Sequence, residues 1–210
     1  MASESDHFDL QRLYDLLYAC YDESGIICLD NYVHAYDEIS KLLRLMGTVF
    51  GFVNSDVVEK IGILREYRKS DSGDHFKTIQ SMMKYEIDTN TTNNKKKASG
   101  SRTLLRLHRA LEFVADFLLA VKESDEHAKL SGVCSKSYYR TLSKHHPWIV
   151  RKGVDVAVYT IPSRKHFMEK LKVHDVKETE KLLGETGSLG MKIFNVVEKL
   201  YADNKLLDLP

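Results

Sequence analysis

Residues 101–111, Ser-Arg-Thr-Leu-Leu-Arg-Leu-His-Arg-Ala-Leu, open a helical pattern that continues to about residue 122. Arg102, Arg106 and Arg109 are spaced i, i+4 and i+7, which places three guanidinium groups on one face of the helix. The opposite side predicts a face that packs into a core and carries Leu104, Leu107, Leu111 and Leu118. The arginine stripe has two interpretations. It is either a solvated helix face or a binding surface for phosphate or carboxylate, both of which fit the planar guanidinium.

Composition limits the classes of protein to be considered. The chain has 210 residues, of which 43% are hydrophobic and 29% charged, as in globular proteins, and its net charge of +1 gives no reason to expect a nucleic-acid partner. Cys20, Cys28 and Cys134 lack metal-ligand or redox spacing and, without a secretory signal, predict reduced thiols in a cytosolic protein. No apolar run approaches the roughly 20 residues that span a bilayer, so we expect any membrane contact to be peripheral.

Helical periodicity recurs along the chain and predicts one all-α domain, residues 1–210, of about eight helices with no internal repeat. Asp9, Ser55, Ser163 and Asp175 are predicted to begin helices, because their side chains suit the N-cap position. The predicted segments besides the arginine helix are 8–21, 30–50, 55–68, 75–87, 136–144, 148–159, 163–171, 175–183 and 191–201.

Residues 88–100 are polar and low in complexity, which predicts a flexible loop. The lysine run 95–97 in this loop is either merely solvated or adds positive potential near the arginine helix. The C-terminal residues 206–210, Leu-Leu-Asp-Leu-Pro, are apolar enough to dock on the body of the protein.

Asp56 and Lys60 form a candidate site near the start of a predicted helix, where their i, i+4 spacing allows an ordinary surface ion pair. An acid beside cations could instead recognise a group that combines donors with an anion, such as an amide next to a phosphate. Both interpretations stay open from the residues alone.

The segment His145-His146-Pro147-Trp148 is a second candidate. His146 could donate to a ligand carbonyl, act as an acid or base, or serve as a structural hydrogen bonder. Trp148 suits either a core position or, because Arg151 and Lys152 follow it, a membrane interface.

Motifs that would indicate catalysis are missing from the sequence. It contains no GxSxG elbow, no GxxxxGK[ST] phosphate loop, no HExxH and no CxxC pair. These absences remove the motifs that would argue for catalysis without excluding it. We expect a protein that is not an enzyme, with no catalytic residue, no metal and no cofactor.

Six blocks of sequence, in their order along the chain, resemble the glycolipid transfer protein superfamily. The resemblance covers nearly the whole chain and is weakest in the 88–100 loop. The blocks are residues 45–52 (LMGTVFGF), 56–60 (DVVEK), 102–111 (RTLLRLHRAL), 146–151 (HPWIVR), 159–164 (YTIPSR) and 199–210 (KLYADNKLLDLP).

The resemblance implies a two-layer helical sandwich that opens to admit one sphingolipid. Asp56 would accept from the lipid amide N–H and His146 would donate to the amide carbonyl. The glycolipid-selective branch has asparagine where this chain has Lys60 and tryptophan where it has Arg106. Since both departures replace sugar-directed groups by cations, they favour a phosphate headgroup held by Lys60, Arg102 and Arg106; for Arg109 the resemblance implies no role.

The implied function is non-vesicular transfer of ceramide-1-phosphate between phospholipid membranes by a monomer that docks transiently through Trp148. The implied location is the cytosol, with peripheral association at the Golgi, endosome, plasma membrane or nucleus. Three alternatives remain at this stage. They are transfer of neutral glycosphingolipids, an enzyme acting on sphingolipid phosphates, and a sphingolipid-binding sensor or scaffold.

Overall fold

The structure, a computed structural model, describes residues 7–47, 50–94, 96–171 and 175–210. Within these residues the regular elements are helical, which confirms the all-α prediction, and short 3₁₀ turns occur at Gly73–Phe76, Leu142–His145 and Val158–Thr160. The helices are α1 (Leu10–Cys20), α2 (Leu29–Leu45), α3 (Gly51–Lys69), α4 (Ile79–Asp88), α5 (Gly100–Glu123), α6 (Leu130–Arg140), α7 (Trp148–Ala157), α8 (Arg164–Lys170) and α9 (Val176–Asp203).

The arginine helix, α5, lies at the centre of the fold and packs against α3, α4, α6 and α9. Its four leucines at positions 104, 107, 111 and 118 are buried, as their spacing predicts. The apolar face is thereby removed from water, which stabilises the helix and fixes the direction of the arginine face.

A buried carboxylate fixes the N-terminus of α5. The two oxygens of Glu86 accept hydrogen bonds from the backbone N–H groups of Gly100 (2.6 Å) and Ser101 (2.8 Å), while the Ser99 hydroxyl accepts from the N–H of Arg102 (3.0 Å). A negative group is favourable at this end of a helix dipole, although burial raises the pKa of Glu86. These bonds set where the arginine face begins.

Of the four predicted N-cap residues, three cap a helix in the structure. The side chains of Asp9, Ser163 and Asp175 accept from the first turns of α1, α8 and α9. Ser55 is a wrong prediction, because α3 begins at Gly51 and the Ser55 hydroxyl donates to the Gly51 carbonyl inside the helix (3.0 Å).

Several predicted boundaries also move. The segment predicted to extend to residue 50 ends at Leu45, and Gly47 adopts a φ of +124°, beyond the range of a helix; Thr48 and Val49 lie outside the described residues. The segment predicted from residue 136 begins at Leu130 and ends at Arg140, and the segment predicted from residue 75 is a 3₁₀ turn followed by α4.

The two C-terminal segments, predicted to be separate, form one continuous helix, α9. Glycines interrupt the sequence pattern at 184, 187 and 190, which favours a break. In the structure Gly187 and Gly190 lie against Leu119 and Ala115 of α5. Close packing of two helices therefore overrides the low helix propensity of glycine.

The glycine contacts give a stability prediction. A Cβ at Gly187 would lie 2.7 Å from Leu119 Cγ and 2.9 Å from the Ala115 carbonyl oxygen, so Gly187→Ala is expected to lower the free energy of unfolding by about 1–3 kcal/mol. The matched control is Gly184→Ala, whose Cβ would meet the Lys122 side chain at 3.6 Å and should raise stability by up to about 1 kcal/mol. Urea denaturation measures both; equal effects would contradict the close-packing argument.

The 88–100 loop is tied to its surroundings at several points. The Ser99 hydroxyl donates to the Thr92 carbonyl (2.6 Å), and Lys97 Nζ lies 4.3 Å from the centre of the Tyr67 ring. Lys97 is thus engaged locally, Lys95 lies outside the described residues, and flexibility of the loop stays a prediction. Across the parts of the chain that the structure covers, no helix has the length and apolarity needed to cross a membrane.

Candidate functional site

A depression of about 200 Å³ brings together most of the predicted site residues. Its walls come from α3, from the middle of α5 and from the 3₁₀ turn Leu142–His145 with the residue after it. The titratable side chains that line it are Asp56, Lys60, Arg106, Arg109, His145 and His146. Helical spacing places Asp56 next to Lys60 on α3 and Arg106 next to Arg109 on α5. Because α3 packs on α5, the two pairs become neighbours.

The acid and the amine on α3 form an ion pair in this depression. Lys60 Nζ donates to Asp56 Oδ1. The Lys60 side chain is largely buried, with 16% exposed, whereas that of Asp56 is 59% exposed. The carboxylate therefore has open lone pairs for a further donor, while the ammonium that pairs with it is largely buried.

Each arginine of the stripe donates to a main-chain oxygen of the C-terminal residues 207–210, hereafter the tail. Arg102 Nε donates to Pro210 (2.6 Å), Arg106 Nη1 to Leu209 (3.1 Å) and Arg109 Nη2 to Leu207 (2.7 Å). These contacts confirm that the three guanidinium groups share one face. Arg106 and Arg109 also line the depression, while Arg102 lies one helical turn away from Arg106.

The end of α9 directs the tail to this position. The N–H of Leu206 donates to the Tyr201 carbonyl and that of Lys205 to the Ala202 carbonyl, the hydrogen-bond pattern of a Schellman motif, with Lys205 at a φ of +57°. Leu206 is buried and Leu207 and Leu209 pack on the core, which confirms that the apolar tail docks on the body.

Burial and like charge both act on the central arginine. The pKa of Arg106 is lowered, first by burial and then by Arg109 and Arg102. An arginine stays protonated in spite of such a shift, so the site retains clustered positive charge. An anion bound there would offset the repulsion among the guanidinium groups.

His146 forms a hydrogen bond with a buried tyrosine. Tyr138, on α6, is 1% exposed and its Oη lies 2.9 Å from His146 Nδ1. Burial lowers the pKa of His146, which the Asp56 carboxylate partly opposes, and burial with nearby cations lowers the pKa of His145 to about 4. Both imidazoles are therefore neutral at pH 7.

Trp148 is the first residue of α7 and lies outside the depression's lining. Its side chain is 63% exposed and that of Ile149 is 68% exposed, which excludes the core interpretation of the tryptophan. Lys152 forms an ion pair with Asp155 at 3.3 Å. One end of α7 therefore offers apolar surface to the solvent.

Sequence reasoning missed several groups of the site: Tyr138, the main-chain oxygens of the tail and the place of Arg109 in the lining. It named His145 in a candidate segment but gave it no role. The i, i+8 separation of Tyr138 and His146 crosses two elements and follows no periodic pattern. Among the described residues, no group of three or more His, Cys, Asp or Glu side chains could hold a metal ion.

Comparison with known proteins places this arrangement in a family. The family model "Glycolipid transfer protein (GLTP)" matches residues 27–173. The ceramide-1-phosphate transfer protein of Danio rerio is 37% identical over 210 residues, which cover 98% of this chain and all of the relative.

Two solved structures show the same fold. The apo form of mouse ceramide-1-phosphate transfer protein matches with a TM-score of 0.92 and 36% identity, over 97% of this chain and 100% of that one. The human ceramide-1-phosphate transfer protein in complex with 2:0 ceramide-1-phosphate matches with a TM-score of 0.90 and 35% identity, over the same shares. The expected helical sandwich is thus confirmed, and the chain belongs to the glycolipid transfer protein family.

Proposed function

We propose that this protein transfers ceramide-1-phosphate between membranes by binding the lipid in a 1:1 complex. The observation that carries the proposal is the convergence of Lys60, Arg106, Asp56 and His146 on one depression. Two cations match a phosphate, and an acid with a neutral imidazole matches the donor and the acceptor of an amide. Residues 1–210 act as one domain of this family.

The phosphate is held by Lys60, Arg106 and Arg102. Lys60 on α3 and Arg106 on α5 both line the depression, and Arg102 lies one turn before Arg106 on the same face of α5. The present partners of Arg106 and Arg109 are neutral peptide carbonyls, and hydrogen bonds to an ionised acceptor are roughly twice as strong. A phosphate therefore competes favourably for these donors.

The amide of the ceramide is recognised by Asp56 and His146. The exposed carboxylate accepts from the amide N–H, while His146 donates from Nε2 to the carbonyl, since Nδ1 is occupied by Tyr138. This pair distinguishes a sphingolipid from a glycerolipid, which carries no amide N–H.

The lipid chains enter between helices. A depression of about 200 Å³ is smaller than the roughly 300–1,000 Å³ of pockets that enclose drug-sized ligands, so it admits a headgroup and not two chains. Each methylene removed from water contributes about 0.8 kcal/mol, which is sufficient to draw long chains into an apolar interior.

Transfer requires transient docking on a membrane, and Trp148 is the proposed contact. Trp148→Ala is expected to weaken binding to phosphatidylcholine vesicles by about tenfold, because an exposed indole inserts favourably at the interface. Co-sedimentation with vesicles measures this, with Tyr18→Ala on α1 as the control for loss of an exposed aromatic. Equal losses in both variants would contradict a specific docking role.

The protein would act from the cytosol.

The proposed function is tested by following fluorescent ceramide-1-phosphate between vesicles, beside galactosylceramide. Selective transfer of the phosphate lipid supports the proposal. Transfer of galactosylceramide instead would assign a glycolipid carrier, and binding without transfer would assign a sensor. Recovery of unchanged lipid after long incubation tests the proposal that the protein is not an enzyme.

A further inference from the structure

The contact between Tyr138 and His146 has a chemical consequence for the site. The Tyr138 side chain is buried among aromatic neighbours, with its ring edge-on to Phe113 at 6.5 Å and to Tyr139 at 5.4 Å. Its phenol lies 2.9 Å from His146 Nδ1, and the two rings are 5.7 Å apart. A ring packed in this way cannot easily turn its hydroxyl elsewhere.

The direction of this hydrogen bond decides the tautomer of His146. A phenol has one proton to donate, and burial raises the pKa of Tyr138 to about 12, so the proton is present at pH 7. Within the described chain, His146 is the hydrogen-bond partner of that hydroxyl. When the phenol donates to Nδ1, a neutral imidazole carries its own proton on Nε2.

We infer that Tyr138 is a positioning residue that holds His146 with its proton on Nε2 and so presents an N–H donor to the amide carbonyl of the bound lipid. The inference rests on the proposed function, because it requires His146 to contact the lipid. In the opposite tautomer Nε2 would be an acceptor, and its lone pair would face the carbonyl oxygen. One buried hydroxyl thus decides whether His146 Nε2 is a hydrogen-bond donor or an acceptor.

The first test measures the tautomer without any lipid. The ring ¹⁵N chemical shifts of His146 distinguish a protonated nitrogen from an unprotonated one in the lipid-free protein. The wild type is expected to show a proton on Nε2, and Tyr138→Phe a mixture of the two tautomers. A wild-type proton on Nδ1, or an unchanged pattern in the variant, would overturn the inference.

The second test is a double-mutant cycle on ceramide-1-phosphate affinity. Tyr138→Phe is expected to weaken binding by about three- to tenfold, as the loss of one hydrogen bond predicts. In a His146→Leu background the same substitution should have no further effect, because Tyr138 acts through His146. Independent, multiplying losses would overturn the inference.

Tyr139→Phe is the matched control, since this neighbouring tyrosine is exposed and donates instead to Asp155 (2.6 Å). It should leave both the His146 tautomer and lipid affinity unchanged, and thermal unfolding checks that each variant folds. A wild-type protein that fails to bind ceramide-1-phosphate would contradict the proposed function, while the lipid-free shifts would still decide the role of Tyr138.

Discussion

Arg106→Leu is expected to abolish transfer of ceramide-1-phosphate while the protein remains folded. Arg106 lines the depression together with Lys60, and leucine has no group that donates to a phosphate. Hydrogen bonds to charged groups contribute about 1.5–3 kcal/mol, so affinity should fall roughly 10- to 150-fold. Vesicle-to-vesicle transfer and equilibrium binding of a short-chain ceramide-1-phosphate measure the loss.

The control removes an arginine of similar exposure that lies elsewhere. Arg65, on α3, pairs with Asp37, and both side chains are about 40% exposed. Arg65→Leu should therefore retain transfer. Full activity of Arg106→Leu would contradict the proposed phosphate site. Inactivity of both variants would show that any loss of positive charge impairs transfer.

Asp56→Val is expected to remove selectivity for the sphingolipid backbone. The carboxylate is the acceptor proposed for the amide N–H, and valine offers none. Ceramide-1-phosphate should bind at least about tenfold more weakly. Phosphatidic acid, which has the same phosphate but no amide, should keep its affinity, because Lys60, Arg102 and Arg106 remain.

A graded substitution separates this role from the ion pair with Lys60. Asp56→Asn keeps a carbonyl acceptor without the charge, so its affinity for ceramide-1-phosphate should lie between wild type and Asp56→Val. Competition between the two lipids in one binding assay gives the comparison directly. If both lipids lost affinity equally, Asp56 would act by positioning Lys60 rather than by contacting the amide.

The sequence was sufficient for the parts of the fold that depend on local pattern. Spacing along α5 predicted both its buried leucines and its arginine face, and side-chain chemistry predicted the caps at Asp9, Ser163 and Asp175. The i, i+4 relation of Asp56 and Lys60 was equally local. Each of these features requires knowledge of only one or two helical turns.

Features that depend on contacts between elements were not predictable in this way. The continuity of α9 through Gly187 is decided by the surface of α5, and the start of α3 at Gly51 left Ser55 inside the helix. The partners of the arginines are main-chain oxygens, which every residue carries, so no residue type indicates them. Such contacts are found only once the chain is folded.

The tail contacts mean that spacing, more than side-chain identity, is the information encoded after α9. Leu206 is anchored in the core, and the number of residues that follow decides which carbonyl meets which guanidinium group. Insertion or deletion of a single residue after Leu206 shifts this register for all later contacts, whereas substitutions that keep the backbone in place leave the carbonyls where they are. Chain length between Leu206 and each main-chain oxygen therefore sets which arginine that oxygen meets.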